Sequence, residues 1–323
     1  MIRYVIKRIL MIIPVIICVS FIVYALVDLA PGDVVDAMIT DNMTDEDVAA
    51  LRQQFDLDKP LLYRYGKYMF NLVRGDLGVS TYSGFSVWEQ YKARLPNTLK
   101  LALSGLFLGS LFAIPLGIFA ARRAGTIADN MVTVVVVLGI SVPSFWLALT
   151  FLQIFSLKLS WFPAGGMQQG IKSLVMPAIC TGLMLMANAT RQTRSSMLEV
   201  LRADYLRTAR AKGVPEQTVI RKHALGNAMI PILTVIGNSL AHSLAGSVII
   251  ENVFSWPGVG RMAIEGVQAR DSQTVLGTVI LTTIFYVLIQ IVVDIAYAFV
   301  DPRIKSQYVA VNKKKSRVNT SSP

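Results

Sequence analysis

The segment DYLRTARAKGVPEQTVIRKHALGNAMIP (204–231) is one of the most charged stretches of an otherwise apolar chain. Residues 197–212 carry a helical pattern. Leu198, Leu201, Tyr205 and Ala209 fall on one stripe at spacings of three and four, and Glu199, Asp204, Arg207 and Arg210 fall opposite. Glu199 with Arg202 and Asp204 with Arg207 are placed to pair at i,i+3. Gly213 then permits a chain reversal, because glycine reaches positive φ cheaply. Pro215 suits the first position of a second helix over 215–223, with Glu216 near its positive end. So short a helix is not stable by itself, so the rest of the protein or a partner must hold it. After 223 the sequence turns apolar. An ordinary basic loop between spans and a built docking element both fit this pattern.

The surroundings fix where that insert lies. Of 323 residues, 54% are hydrophobic and only 16% charged, against about a quarter charged in soluble domains. Mean hydropathy is +0.53, which points to an integral membrane protein. Six runs lack Asp, Glu, Lys and Arg: 9–27, 101–121, 131–157, 173–190, 224–250 and 272–293. Each is near or above the ~18 apolar residues a crossing helix needs. None alternates as a barrel strand would, so an all-α bundle of six transmembrane helices is expected. The first run is too long for a signal-peptide core and lacks a small-x-small cleavage site, so it reads as a retained span.

The net charge of +11 is explained by position, not by nucleic-acid binding. Arg3, Lys7 and Arg8, then Arg122 and Arg123, then eight basic residues from Arg191 to Lys222, then Arg303, Lys305, Lys313, Lys314, Lys315 and Arg317 fall on one side of a six-span topology. The longest loop on the other side holds ten acidic and seven basic residues between Asp33 and Arg94. The positive-inside rule therefore puts both termini and the 191–226 loop in the cytoplasm of a cell membrane. Three regions follow: 1–96, a first span with an outer loop; 97–301, a five-helix core; and 302–323, a basic tail expected to be disordered. In the outer loop, Thr44 and Asp47 form a capping-box pattern ahead of Val48, Leu51 and Phe55. Pro60 and Gly75 bracket a second short helix. Both helices are expected on the outer face, through packing, membrane contact or ligand binding.

Chemistry-bearing residues are sparse. Cys18 and Cys180 lie in apolar runs, and His223 and His242 have no metal-ligand spacing. No Gly-x-x-x-x-Gly-Lys-Ser/Thr phosphate loop is present, so this chain is not expected to bind ATP, and no cofactor or metal site is expected. Polar residues inside spans are functional candidates. Asn188, Asn238, His242 and Asp294 are candidates to line a solute path. Helix–helix hydrogen bonding, or for Asp294 a structural pairing, is the other account. Trp256, Pro257 and Gly258 read as a turn between spans five and six, alone or as an outer gate or dock.

The 204–231 stretch resembles the cytoplasmic loop of permease subunits of bacterial ABC importers, whose pattern is Glu-Ala-Ala, three residues, Gly, nine residues, Ile-x-Leu-Pro. Aligned on Gly213, Ala209 and Leu225 match it, while Arg207, Thr208, His223 and Gly226 depart. RTARAKG (207–213) with HALGNAMIP (223–231) is similar to the B-type variant of the dipeptide/oligopeptide/nickel branch. MIRYVIKRIL (1–10) leading to LAPGD (29–33), GDLGVS (75–80) before RLPNTLKL (94–101), and ENVFSWPGVGRMAIEGVQARD (251–271) resemble further segments of that branch, up to VDPRIK (300–305). The resemblance implies the type I ABC importer permease fold and a role as half of a solute path. It implies as partners a second homologous permease, two cytoplasmic ATP-binding subunits and an extracytoplasmic solute-binding protein. Peptides are the solutes it implies first, with nickel or another small solute as the alternative. Coupling to the ATPases would fall to Ala209, Lys212, Gly213, Val214, Pro215, Glu216, Val219, His223 and Leu225. A secondary transporter would explain the spans but not the two-helix insert. A membrane enzyme would need a clustered catalytic constellation, and the sequence shows none.

Overall fold

A computed structural model describes residues 2–29, 35–36, 39 and 43–300. The basic tail at 302–323 and most of the 29–33 stretch lie outside the described residues. The regular elements are helices: α1 (Ile2–Leu29), α2 (Asp45–Gln54), α3 (Leu61–Val73), α4 (Val87–Arg122), α5 (Ile127–Ser141), α6 (Ser144–Phe151), α7 (Ile171–Leu201), α8 (Asp204–Ala211), α9 (Glu216–Thr218), α10 (Leu225–Val253), α11 (Val259–Gln268) and α12 (Ser272–Val300).

Among the described residues, five helices are long and apolar enough to cross a bilayer: α1, α4, α7, α12 and the helix that runs from Glu216 through α10. The third apolar run, which Pro143 interrupts, bends sharply. It is broken into α5 and α6, whose axes meet at 97°. Pro143 is the cause: it disfavours helical geometry at the preceding residue, and Val142 is extended at φ −79°, ψ 124°. Beyond α6 the chain continues as a π-helical turn, Leu152–Lys158. Counting the bent pair as one crossing gives six.

The centre of the bundle is the α4–α7 pair, which close at glycines. A Cβ on Gly109 would stand 2.7 Å from the Gly182 carbonyl oxygen, and one on Gly182 would stand 2.8 Å from that of Gly105. One on Gly117 would stand 2.8 Å from the Thr190 carbonyl oxygen. Bare backbones can approach where lipid offers no hydrophobic drive, so small residues make the tightest membrane seams. The polar side chains in these helices are largely satisfied within their own turn. Thr181, Thr190 and Thr193 in α7 each donate to the carbonyl four residues back, as do Ser239 and Ser243 in α10. Leu103, Phe107, Leu111 and Phe112 of α4 and Val134, Val135, Val137 and Leu138 of α5 are exposed, as lipid-facing surfaces require.

The peripheral helices start and stop where their sequence says. Thr44 and Asp47 close a full capping box on α2. The hydrogen bonds from Thr44 hold the Asp47 carboxyl below the usual carboxylate range. Gly75 follows the end of α3 at φ +84°. Tyr68 of α3 is buried with Leu276 and Ile280 of α12 against α1, so α3 packs on the bundle. An Arg64–Asp28 ion pair at 2.6 Å ties it to the end of α1.

Candidate functional site

Two groups of sequence-selected residues sit at opposite ends of the bundle. At the basic end, α7 stops at Leu201, and the chain leaves helical geometry at Ala203 (φ −71°, ψ 142°) before α8 begins. This corrects the expected continuous helix over 197–212. The break shifts the phase of the buried stripe. Leu206 is fully buried while Tyr205 is 46% exposed, because α8 turns its own face inward and does not continue that of α7. Asp204 and Arg207 do pair, at 3.7 Å on the surface.

Gly213 closes α8. Its φ is +77°; its N–H donates to the Arg210 carbonyl, and the Val214 N–H donates to that of Ala209. These are the two bonds of a Schellman cap. Its accompanying apolar contact is supplied by Ala209 and Val214, which pack against one cluster. Arg210 and Glu216 clasp across the reversal through two charged hydrogen bonds of 3.0 and 2.9 Å.

The second helix is not the separate piece the sequence suggested. Glu216–Thr218 passes into a π-helical turn, Val219–Ala224, and then straight into α10, so its stability comes from a 29-residue helix behind it. The wide turn turns Val219, Ile220 and Ala224 inward, where they are buried with Leu206, Met197 and Ala121. Of the nine coupling candidates, Lys212, Gly213, Pro215 and Glu216 are exposed and Ala209, Val214, His223 and Leu225 half-buried, whereas Val219 is buried. Arg207, Gln217, Arg221 and Lys222 extend the exposed basic surface. Beside it Arg194 of α7 grips Asp129 of α5 bidentately at 2.6 and 2.7 Å. The Asp129 side chain is only 1% exposed.

The span candidates divide. Asn188 is half-buried and bonds within its own helix to the Met184 carbonyl. Asn238 of α10 receives a hydrogen bond from Gln290 of α12 at 3.1 Å, and His242 lies edge-on to Tyr286 at 6.2 Å between centroids. These four make a polar seam between α10 and α12, and Asp294, half-buried, lies one turn beyond Gln290 towards the basic end. Sequence reasoning missed Gln290 because a screen for charged residues passes over a lone amide.

At the opposite end, the chain between α10 and α11 reverses at Ser255 with φ +48°. Trp256 is 1% exposed, so it anchors this turn and does not present its ring to the surface. Its indole N–H donates to the Asn97 carbonyl at 3.0 Å, and the Asn97 amide donates to the Pro257 carbonyl at 2.9 Å. The residue that organises this corner is Glu251, the first of the 251–271 stretch and not among the residues the sequence singles out. Its signal in the sequence was an acid at a span terminus, followed by Pro257-Gly258-Val259-Gly260.

The fold is shared with solved ABC transporter chains. One from an inward-facing methionine transporter, MetNI, aligns with a TM-score of 0.56 over 66% of this chain and 96% of its own, at 19% identity. A family described as binding-protein-dependent transport system inner membrane component matches residues 113–306, and its N-terminal companion matches 1–102. An oligopeptide transport system permease protein, AppB, of Bacillus subtilis is 35% identical over 94% of this chain and all of its own. A di/tripeptide transport permease, DppB, of Pseudomonas aeruginosa is 36% identical over 95% of this chain and all of its own. A glutathione transport permease, GsiC, of Escherichia coli is 37% identical over 94% of this chain and 99% of its own. Matched along nearly its whole length, this multi-pass membrane protein belongs to the family of inner-membrane components of binding-protein-dependent transport systems.

Proposed function

We propose that the chain is the permease subunit of an ATP-driven importer of di- or oligopeptides, forming half of the solute path with a second homologous permease. Two separate ATP-binding subunits power the complex, one of them docking on this chain's cytoplasmic basic end, and an extracytoplasmic binding protein delivers the solute. The observation that carries this reading is the docking element itself: a capped reversal at Gly213, exposed on one side and welded on the other to the ends of α4, α7 and α10 by Leu206, Val219 and Ile220. A push on such an element moves three spans together, because a close-packed cluster transmits displacement. The reaction is mechanical, a shift between two arrangements of the bundle that ATP binding biases. The peptide assignment leans on relatives whose names specify oligopeptide, di/tripeptide and glutathione transport.

Ala209, Lys212, Gly213, Pro215, Glu216, His223 and Leu225 are assigned to the docking surface or its rim, with Val214 and Val219 supporting it from below. Asn238, His242 and Asp294 are assigned to the solute path and Asn188 to its flank. The test is ATP-dependent uptake of labelled di- and oligopeptides into proteoliposomes holding the full complex. Uptake that needs ATP and the binding protein, and is lost in Gly213→Pro although the variant reaches the membrane, is the expected result. Full uptake by that variant with normal ATPase association would sink the coupling assignment.

A further inference from the structure

Glu251, at the last turn of α10, is fully buried. Three donors converge on its carboxylate: the Thr98 hydroxyl at 2.7 Å, the Ser247 hydroxyl at 3.0 Å and the Arg261 backbone N–H at 3.0 Å. Arg261 lies in the first turn of α11, where backbone N–H groups lack helical partners and carry the positive end of the helix dipole. Thr98 completes the junction, because its oxygen accepts the Val259 N–H at 2.9 Å while its proton goes to Glu251. Gly258 and Gly260 are the room the acid needs, since a Cβ at either position would collide with the Glu251 carboxylate. Each of its two oxygens therefore has a hydrogen-bond partner: one takes both hydroxyls and the other the backbone N–H. Among the described residues no basic side chain forms an ion pair with it. A buried polar group is tolerated when it is hydrogen-bonded, and both oxygens of this one are.

The same face of α4 grips this corner at three levels. Arg94 reaches Glu265 of α11 at 2.6 Å, Asn97 holds Pro257, and Thr98 holds Glu251 and Val259. These positions are i, i+3 and i+4, one helical stripe. At its other end α4 contributes Ala121 to the cluster beneath the docking element. From Arg94 to Ala121 is about 40 Å of one helix at 1.5 Å per residue.

We propose that Glu251 is a positioning residue for transport: its carboxylate fuses the outer ends of α4 and α10 to α11, so that displacement at the basic end opens or closes the outer mouth as one body. The proposal rests on the importer reading, and its test separates the two. The full complex is reconstituted with wild type, Glu251→Gln, Thr98→Val and Thr98→Ser. Hydrogen exchange is followed at 258–268, alongside peptide uptake and ATP hydrolysis stimulated by the binding protein.

Glutamine replaces one accepting oxygen with an amide nitrogen that cannot accept, and valine deletes the hydroxyl relay. Both should exchange at least about tenfold faster over 258–268, as expected when a buried hydrogen bond is lost and its partner left unsatisfied. Both should also lose uptake about tenfold or more while ATP hydrolysis persists, and Thr98→Ser should restore both readouts. Unchanged exchange in Glu251→Gln and Thr98→Val overturns the proposal. So does a parallel fall of uptake and hydrolysis, which is what a purely structural strut would give. If the wild-type complex takes up no peptide, the importer reading fails, and exchange alone then judges the latch.

Discussion

At position 213 the backbone is left-handed, and a Cβ added there would meet no atom within 4 Å. Substitution is therefore opposed by conformation and not by space. Alanine should cost about 1 kcal/mol, the penalty of an L-residue in that region, and asparagine less. Thermal scans of the purified protein at one fixed rate should rank wild type above Gly213→Asn, and that above Gly213→Ala and Gly213→Val. Equal stability of all four would show that the cap contributes nothing. The Asp47 carboxyl, held below its usual range by Thr44, makes the opposite kind of statement. A depressed folded value means the cap contributes fully above the ordinary aspartate range and is lost as pH falls through the lowered one. Amide-exchange protection in the first turn of α2 should therefore persist at neutral pH and fall only in acid, with Asp47→Asn abolishing the pH step. Both residues were legible in sequence because a cap is a local device. Glu251 was not, because two of its three partners lie at 98 and 261 and only folding brings them to it.

Helices differ in how much of their geometry local sequence controls. The ends of α2 and α3 follow their caps. The continuity of a helix, by contrast, depends on single residues: Pro143 breaks the third span, and the extended backbone at Ala203 rephases α8 so that Leu206, not Tyr205, faces inward. The reverse error occurred at 215–223, where Pro215 suggested a separate short helix that proves to be the start of the α10 rod. Glycine placement gives the sharpest test at this scale. Gly117→Ala places a methyl against Thr193 and 2.8 Å from the Thr190 carbonyl oxygen, and such overpacking costs about 1–3 kcal/mol. Gly139 in α5 meets only the Ala187 Cβ, at 3.7 Å. Gly139→Ala should be neutral or stabilising by up to about 1 kcal/mol through helix propensity. Detergent unfolding of the two variants decides: equal effects would mean that the α4–α7 seam is looser than the backbone approach implies.

For the molecule as a whole, the sequence shows the charge asymmetry and six apolar runs, and the helices follow those runs with one of them bent. Which helices meet was not readable, because bare glycines and intrahelical threonine bonds leave no long-range trace in one sequence. What emerges is a bundle with two specialised ends joined by α4, which touches the docking cluster through Ala121 and the Glu251 corner through Thr98. The central claim is that the surface around Gly213 receives the ATP-binding partner. A photo-crosslinking residue placed singly at Lys212, Gln217 or Ser83 in the full complex tests it most directly. Positions 212 and 217 are exposed at the basic end and 83 at the opposite end. The account predicts adducts with the ATP-binding subunit from 212 and 217 and none from 83; an adduct from 83, or silence at both 212 and 217 in a complex that still takes up peptide, would contradict it.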